Sequence, residues 1–224
     1  PVLDGGIADF AIVAARAGDG HGPRDIALVL VDLKGSGVKR ESVKTLDPSR
    51  GQAEITFTGA AAEVLGNASE GWATLERVLD RAAVLTAFEQ VGGADATLIQ
   101  AKDYALGRYA FGRQIASFQA IKHKLADMYV YNELARSNAY YGAWALSTDA
   151  PELPLAAAQS RVAATQAFHY AAKENIQTHG GMGFTWEFDC HLFYRRSKLL
   201  ALNLGSERVW KDKLVSRLEA RNAA

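Results

Sequence analysis

Two short segments combine residue types suited to an anionic, aromatic ligand. The first, Arg108-Tyr109-Ala110-Phe111-Gly112-Arg113-Gln114-Ile115-Ala116-Ser117-Phe118-Gln119, places two arginines, three aromatic residues and a glycine in one run. Guanidinium forks recognise phosphate through paired hydrogen bonds, and a neighbouring Phe111 can stack on a purine. The run equally suits an ordinary connection between helices, with Gly112 at positive φ and both arginines solvated. The second segment, Gln177-Thr178-His179-Gly180-Gly181-Met182-Gly183-Phe184-Thr185-Trp186-Glu187, has three glycines within four residues. Backbone without side chains lets a ligand approach closely, and free amides at such a turn can hold pyrophosphate oxygens. A helix C-cap followed by a turn would use the same glycines.

Other constellations are missing. The five histidines, His21, His123, His169, His179 and His191, show no paired spacing, and a metal site needs several ligands converging. No metal is expected; His123 and His169 are expected to be structural, while His179 lies inside the glycine segment and could stand near a ligand. The single Cys190 has no His or Lys partner at helical spacing and is expected to be inert. One cysteine cannot form an internal disulfide, which suits a reducing compartment, and a cytoplasmic location is expected. Twenty-five Lys and Arg balance 25 Asp and Glu without a run of five like charges, so neither nucleic acid nor an anionic membrane is an expected partner. No window approaches the roughly 18 apolar residues of a membrane span.

The elements that must position these segments change character near residue 66. Before it, Phe10-Ala11-Ile12-Val13-Ala14, Ile26-Ala27-Leu28-Val29-Leu30-Val31 and Ala53-Glu54-Ile55-Thr56-Phe57-Thr58 read as strands, separated by turns at 18–23, 34–37 and 47–51. The second, wholly apolar, suits a strand covered on both sides; the third alternates as a half-buried strand does. After Gly66 the period becomes helical, with long helices expected from about Glu70 to Leu106, Ser117 to Leu146 and Pro154 to Thr178, then shorter ones near 187–200 and 206–219. Tyr140, Tyr141 and Trp144 in the second helix are expected in the core. The fold class is therefore α+β, mostly α: a partial β domain over residues 1–66 and a four-helix bundle over 67–224. The chain begins at Pro1 and its only methionines are Met128 and Met182. It is expected to be a soluble fragment whose preceding part completes the sheet.

Four segments, in this order, resemble the C-terminal half of a flavin-dependent acyl-CoA dehydrogenase: Tyr104 to Gly112, Phe118-Gln119-Ala120-Ile121-Lys122-His123-Lys124-Leu125-Ala126-Asp127-Met128, Gln177 to Phe184, and Arg195-Arg196-Ser197-Lys198. The resemblance implies the later part of the family's middle β domain followed by its C-terminal helical bundle, with FAD as cofactor and an acyl-CoA thioester as substrate. It implies that Arg108, Phe111 and Gln119 contact the adenine and pyrophosphate portion of FAD, with Gln177, Gly180, Gly181 and Ser206 adding to the set. In the family these groups reach the FAD of a neighbouring subunit, so a homo- or hetero-tetramer with a related dehydrogenase subunit is implied.

The family reaction needs a carboxylate to remove the α-proton while the β-hydrogen leaves as hydride. Here the chain departs from the pattern. The glutamate expected before a Gly-Thr pair is replaced in Leu202-Asn203-Leu204-Gly205-Ser206 by Leu204, and the alternative position early in the first long helix holds Ala82. Neither accepts a proton. Asp80 lies about 200° around the helix from Ala82, Glu89 is expected to be solvated or salt-bridged, and Glu207 is expected in the first turn of the last helix. The resemblance, strengthened by the wording Gly181 to Glu187, implies a base-less subunit of a heteromeric dehydrogenase of the kind that actinobacteria use on CoA thioesters of steroid side chains. The alternatives are a self-sufficient dehydrogenase with a non-standard base, and a helical interaction module without cofactor.

Overall fold

The apolar run from Ile26 has no polar face to offer solvent, and it forms a central strand. The computed structural model describes residues 1–223. Its first part holds six strands: β1 (Val2–Leu3), β2 (Phe10–Arg16), β3 (Ile26–Asp32), β4 (Val38–Val43), β5 (Gln52–Phe57) and β6 (Ala62–Val64). They make two antiparallel three-stranded sheets, ordered β1-β5-β4 and β2-β3-β6. In the second sheet Val29 faces Val13 on one side and Val64 on the other. Sequence patterning finds three of these strands and misses β1, β4 and β6. β4 reads Val-Lys-Arg-Glu-Ser-Val, so its pairing with β5 carries little apolar signal. β5 also departs from the expected alternation: burial concentrates at Gln52 and Ala53, while Phe57 is exposed.

The chain divides into two compact units, Pro1–Leu79 and the residues from Asp80 onward, and the boundary falls inside the long helix α1 (Gly71–Gly107). Within the first unit the buried Gly71 opens α1 where a side chain would run into the Ile26 carbonyl, so the close approach of helix and strand there requires glycine.

The second unit continues α1 into a two-stranded hairpin, β7 (Tyr109–Ala110) and β8 (Arg113–Gln114), followed by α2 (Gln119–Ser147), α3 (Leu153–His179), α4 (Cys190–Leu202) and α5 (Glu207–Ala223). α3 is the central helix. Its buried positions are dominated by alanine, from Ala156 to Ala172, and small side chains let the neighbouring helices come close. Phe168 fills the gap left by Gly93 of α1, and Ser160 lies opposite Gly142 of α2. One buried cation sits in this apolar setting. Arg161, 1% exposed, donates from Nη1 to Gln90 Oε1 (2.7 Å) and Thr165 Oγ1 (3.0 Å), and from Nη2 to the Leu200 carbonyl at the end of α4. Burial lowers its pKa to about 10. The negative end of α4 stands in for a carboxylate partner.

Tyr140, Tyr141 and Trp144 are not core residues. They are 62%, 39% and 49% exposed on α2, whose buried side is made of Met128, Asn132, Ala135, Ala139, Gly142 and Ala145. Periodicity locates an apolar stripe but does not say which stripe meets the protein. No helix among the described residues is long and apolar enough to cross a membrane.

Candidate functional site

The first predicted segment is a built hairpin rather than a plain connection. α1 ends at Gly107; the Arg108 N–H then donates to the Tyr104 carbonyl (2.9 Å), and the Ile115 N–H to the Arg108 carbonyl (2.8 Å). Tyr109 pairs with Gln114 and Ala110 with Arg113, which leaves Phe111 and Gly112 as a two-residue turn with φ of +52° and +77°. Positive φ at both positions is the type I′ geometry that favours Asn-Gly or Gly-Gly. A phenylalanine there costs about 1–2 kcal/mol. Phe111 is nevertheless 95% exposed, with an edge-on contact to Phe118 at 6.3 Å, so the strained turn carries an aromatic ring in solvent.

The two arginines divide in role. Arg113 lies over the Phe118 ring at 4.1 Å and braces the hairpin. Arg108 is exposed, and among the described residues its guanidinium makes no hydrogen bond or ion pair. It is the free fork that an oxyanion could occupy. Gln119, the first residue of α2, is also exposed.

The glycine segment separates similarly. Gly180 caps α3 with φ +60°, and its N–H donates to the Gln177 carbonyl. The expected free amide at Gly180 is therefore already engaged, because it closes the helix. What Gly180 and Gly181 contribute is room: a Cβ on either would meet nothing within 4 Å. Gly183 is a packing glycine, since a side chain there would lie 2.7 Å from the Ile176 carbonyl. Exposed Gln177 lines a cleft of about 350 Å³ with Phe184, Trp186, His191 and the cations Lys173 and Arg195. Arg195 sits 5.0 Å from the Trp186 ring centre. Trp186 belongs to the glycine segment in sequence, but nothing in the local pattern marks the cleft it lines.

The two segments meet through side chains. The Tyr104 ring stacks on His179 at 4.0 Å and 26°, and Phe188 stands edge-on to both, at 5.6 and 5.3 Å. His179 is 3% exposed, with Nδ1 2.9 Å from the Asn175 carbonyl, so Nδ1–H donates there. Burial lowers its pKa, which keeps the imidazole neutral. His179 is thus a structural ring inside the glycine segment, with no surface for a ligand. His123, expected to be structural, is an exposed α2 residue instead. His169 is half-buried beside Lys198, whose Nζ lies 3.0 Å from Nδ1.

At the positions where the family pattern carries its base, no carboxylate is found. Leu204 is half-buried against the Ala83, Val84 and Trp210 cluster, and its carbonyl accepts from Trp210 Nε1 at 2.9 Å. Ala82 is also half-buried. The acids nearby in sequence are held by cations: Asp80 by Arg217 (3.0 Å) and Glu89 by Arg196 (2.6 Å). Glu207 opens α5 as expected; burial would raise its pKa, but bonds from Lys211 (2.6 Å) and Gln166 (2.8 Å) outweigh it and lower it. Ser206 precedes that helix, its Oγ 3.5 Å from the Val209 N–H. Cys190 is fully buried and its thiol is pushed up to about 11, which leaves it unreactive. Among the described residues no group of acids, histidines and cysteine could hold a metal.

Comparison with known proteins agrees with this architecture. The model of the acyl-CoA dehydrogenase C-terminal domain matches residues 69–218. The acyl-CoA dehydrogenase IpdE2 of Mycobacterium tuberculosis is 35% identical over 221 residues, covering 98% of this chain and 59% of the relative. The structure of butyryl-CoA dehydrogenase from Megasphaera elsdenii superposes with a TM-score of 0.91 at 25% identity, over 96% of this chain and 57% of that one. A variant of the Tcur3481-Tcur3483 steroid ACAD superposes with a TM-score of 0.85 at 26% identity, over 97% and 57%. The chain therefore spans a little under three-fifths of the length of these relatives. With that domain model covering about two-thirds of the chain and a relative 35% identical over 98% of it, this chain belongs to the acyl-CoA dehydrogenase family.

Proposed function

We propose that this chain is part of an FAD-dependent acyl-CoA dehydrogenase and serves as its base-less subunit, completing the cofactor site of a related subunit that carries the glutamate. Residues 1–66 act as the later part of the middle β domain and 67–224 as the helical domain. The observation that carries the reading is Leu204, an apolar residue packed where a proton acceptor is required, with Ala82 at the alternative position and Asp80, Glu89 and Glu207 tied to cations. A carboxylate held in an ion pair is poorly placed as a base for a carbon acid, because its oxygens are already committed to the cation.

The residues present fit the nucleotide end of FAD. Arg108 offers an unpaired guanidinium for a phosphate, Phe111 an exposed ring for a purine, and Gly180 with Gly181 open backbone beside Gln177. When bound, the flavin accepts the hydride of α,β-dehydrogenation. This chain's part is to hold the adenosine and pyrophosphate portion, while the proton acceptor for the acyl-CoA α-carbon comes from the partner subunit. Support for two unlike chains comes from the paired name of the Tcur3481-Tcur3483 steroid ACAD, and a steroid acyl-CoA is the substrate class that this likeness favours.

The test uses the complete protein purified alone and with its partner. Alone, its flavin absorbance is expected to stay unbleached by acyl-CoA; with Leu204→Glu, bleaching is expected to appear. Bleaching by the unmodified protein on its own, or a native homo-oligomer with one active FAD per chain, overturns the base-less reading.

A further inference from the structure

We propose that Tyr104, His179 and Phe188 form a latch that sets the spacing between the Arg108–Phe111 hairpin and the Gly180–Gly181 turn, and that acid loosens it. The identity of the ligand held across the two segments rests on the flavin nucleotide reading above; the latch itself does not.

Each candidate segment is well built internally. The hairpin pairs Tyr109 with Gln114 and Ala110 with Arg113, and the glycine turn is closed by the Gly180 and Thr185 amides on Gln177 and Met182. Among the described residues, no backbone hydrogen bond runs from one segment to the other. Their separation is therefore left to side chains. Tyr104 receives the Arg108 N–H, so it forms the turn of helix directly beneath the hairpin, and His179 is bonded to Gly180. The 4.0 Å stack between those rings is thus one residue from the glycine turn and one helical turn from the arginine, with Phe188 closing its edge. Displacing either ring moves a ligand-facing group.

The groups that contact the His179 ring among the described residues are Tyr104 from α1, Phe188 from the stretch before α4 and the Asn175 carbonyl from α3. No charged side chain is among them, and Tyr104 is the one titratable neighbour. A proton added to this imidazole would place a charge in an apolar slot with no anion to meet it. Stacking on Tyr104 offsets part of that cost, but burial prevails and holds the pKa below the ordinary histidine value. Protonation accordingly favours an arrangement in which His179 leaves the slot.

Hydrogen–deuterium exchange of the full chain without flavin, over peptides covering 108–118 and 180–185, tests the latch. Tyr104→Ala and His179→Ala are each expected to raise exchange several-fold in both segments, while His179→Phe, which keeps a ring and removes the titration, keeps both protected. From pH 7.5 to 5.5, after correction for intrinsic rates, the unmodified chain is expected to lose protection in both segments, whereas His179→Phe stays level. Exchange that rises only in the altered segment, or a His179→Phe profile that follows pH as the unmodified chain does, overturns the proposal. Flavin content measured in parallel on the complete protein with its partner subunit separates the two readings. Coupled exchange without any bound flavin keeps the latch and sinks the FAD reading; flavin bound and lost without coupled exchange sinks the latch.

Discussion

Arg108 and Phe111 make opposite demands on stability, and that contrast lets their proposed roles be tested separately. The Arg108 guanidinium has no protein partner among the described residues, so removing it costs the fold little. A charge-assisted pair with phosphate is worth about 1.5–3 kcal/mol. Arg108→Ala is therefore expected to weaken FAD binding roughly ten- to a hundred-fold with an unchanged melting temperature, as measured by flavin titration and thermal unfolding. Phe111 occupies a left-handed turn position that a Cβ opposes, at φ +52°. Phe111→Gly relieves that strain, so stability is expected to hold or rise by about 1 kcal/mol, while flavin retention falls. A variant that lost both stability and flavin would mark the ring as part of the protein's own packing. Neither residue's state could be read from the chain alone. The motif names Arg108, Phe111 and Arg113 together, but only the folded hairpin shows Arg113 engaged on Phe118 and Arg108 left free.

At the scale of elements, α1 and α3 show how small residues set helix packing, and two adjacent glycines provide a controlled comparison. Gly92 is exposed, with nothing within 4 Å of an added Cβ, whereas a Cβ on Gly93 would lie 2.5 Å from the ring of Phe168, which is 1% exposed. Ala in place of Gly in a helix gains up to about 1 kcal/mol from propensity. Gly92→Ala is expected to show that gain. Gly93→Ala is expected to lose about 0–2 kcal/mol net, an overpacking cost of about 1–3 kcal/mol less the propensity gain, because the buried ring has no room to withdraw. Urea unfolding followed by helical circular dichroism measures both. The helices were legible because the apolar period of about 3.6 persists over long runs, as in Phe118, Ile121, Leu125 and Met128. Strands are legible only where apolar residues mark them, which holds for β3 and not for β4. Periodicity could not say that Tyr140, Tyr141 and Trp144 face outward, because a stripe looks the same whether or not the protein covers it. The two candidate segments are visible in the sequence, but the Tyr104–His179 stack joining them is a contact between residues far apart in sequence with no local signal.

For the molecule as a whole, the equality of 25 basic and 25 acidic residues shapes its response to acid. Net charge stays small near neutrality, so general charge repulsion is weak there and the first losses of stability must come from particular buried groups. His169 and His179 are two such groups. Burial lowers both, and Lys198 and Lys173 lower His169 further against a smaller opposing pull from Glu207. Below the ordinary histidine value of 6.5 the unfolded chain takes up these protons before the folded one does, so stability falls from there until the folded pKa values are reached. Glu174 and Glu207 act lower. Burial alone would raise them, but bonds from Lys124 and Lys173 to the first, and from Lys211 and Gln166 to the second, hold both below 4.5. Their stabilisation is present above 4.5 and is lost as pH falls toward their folded values. The urea midpoint is thus expected to be level from pH 7 to 8, to decline below 6.5, and to decline again below 4.5. Combining His169→Gln with His179→Phe should remove the first decline and leave the second. If the doubly substituted chain still weakens between pH 6.5 and 5, the early loss arises outside these two imidazoles.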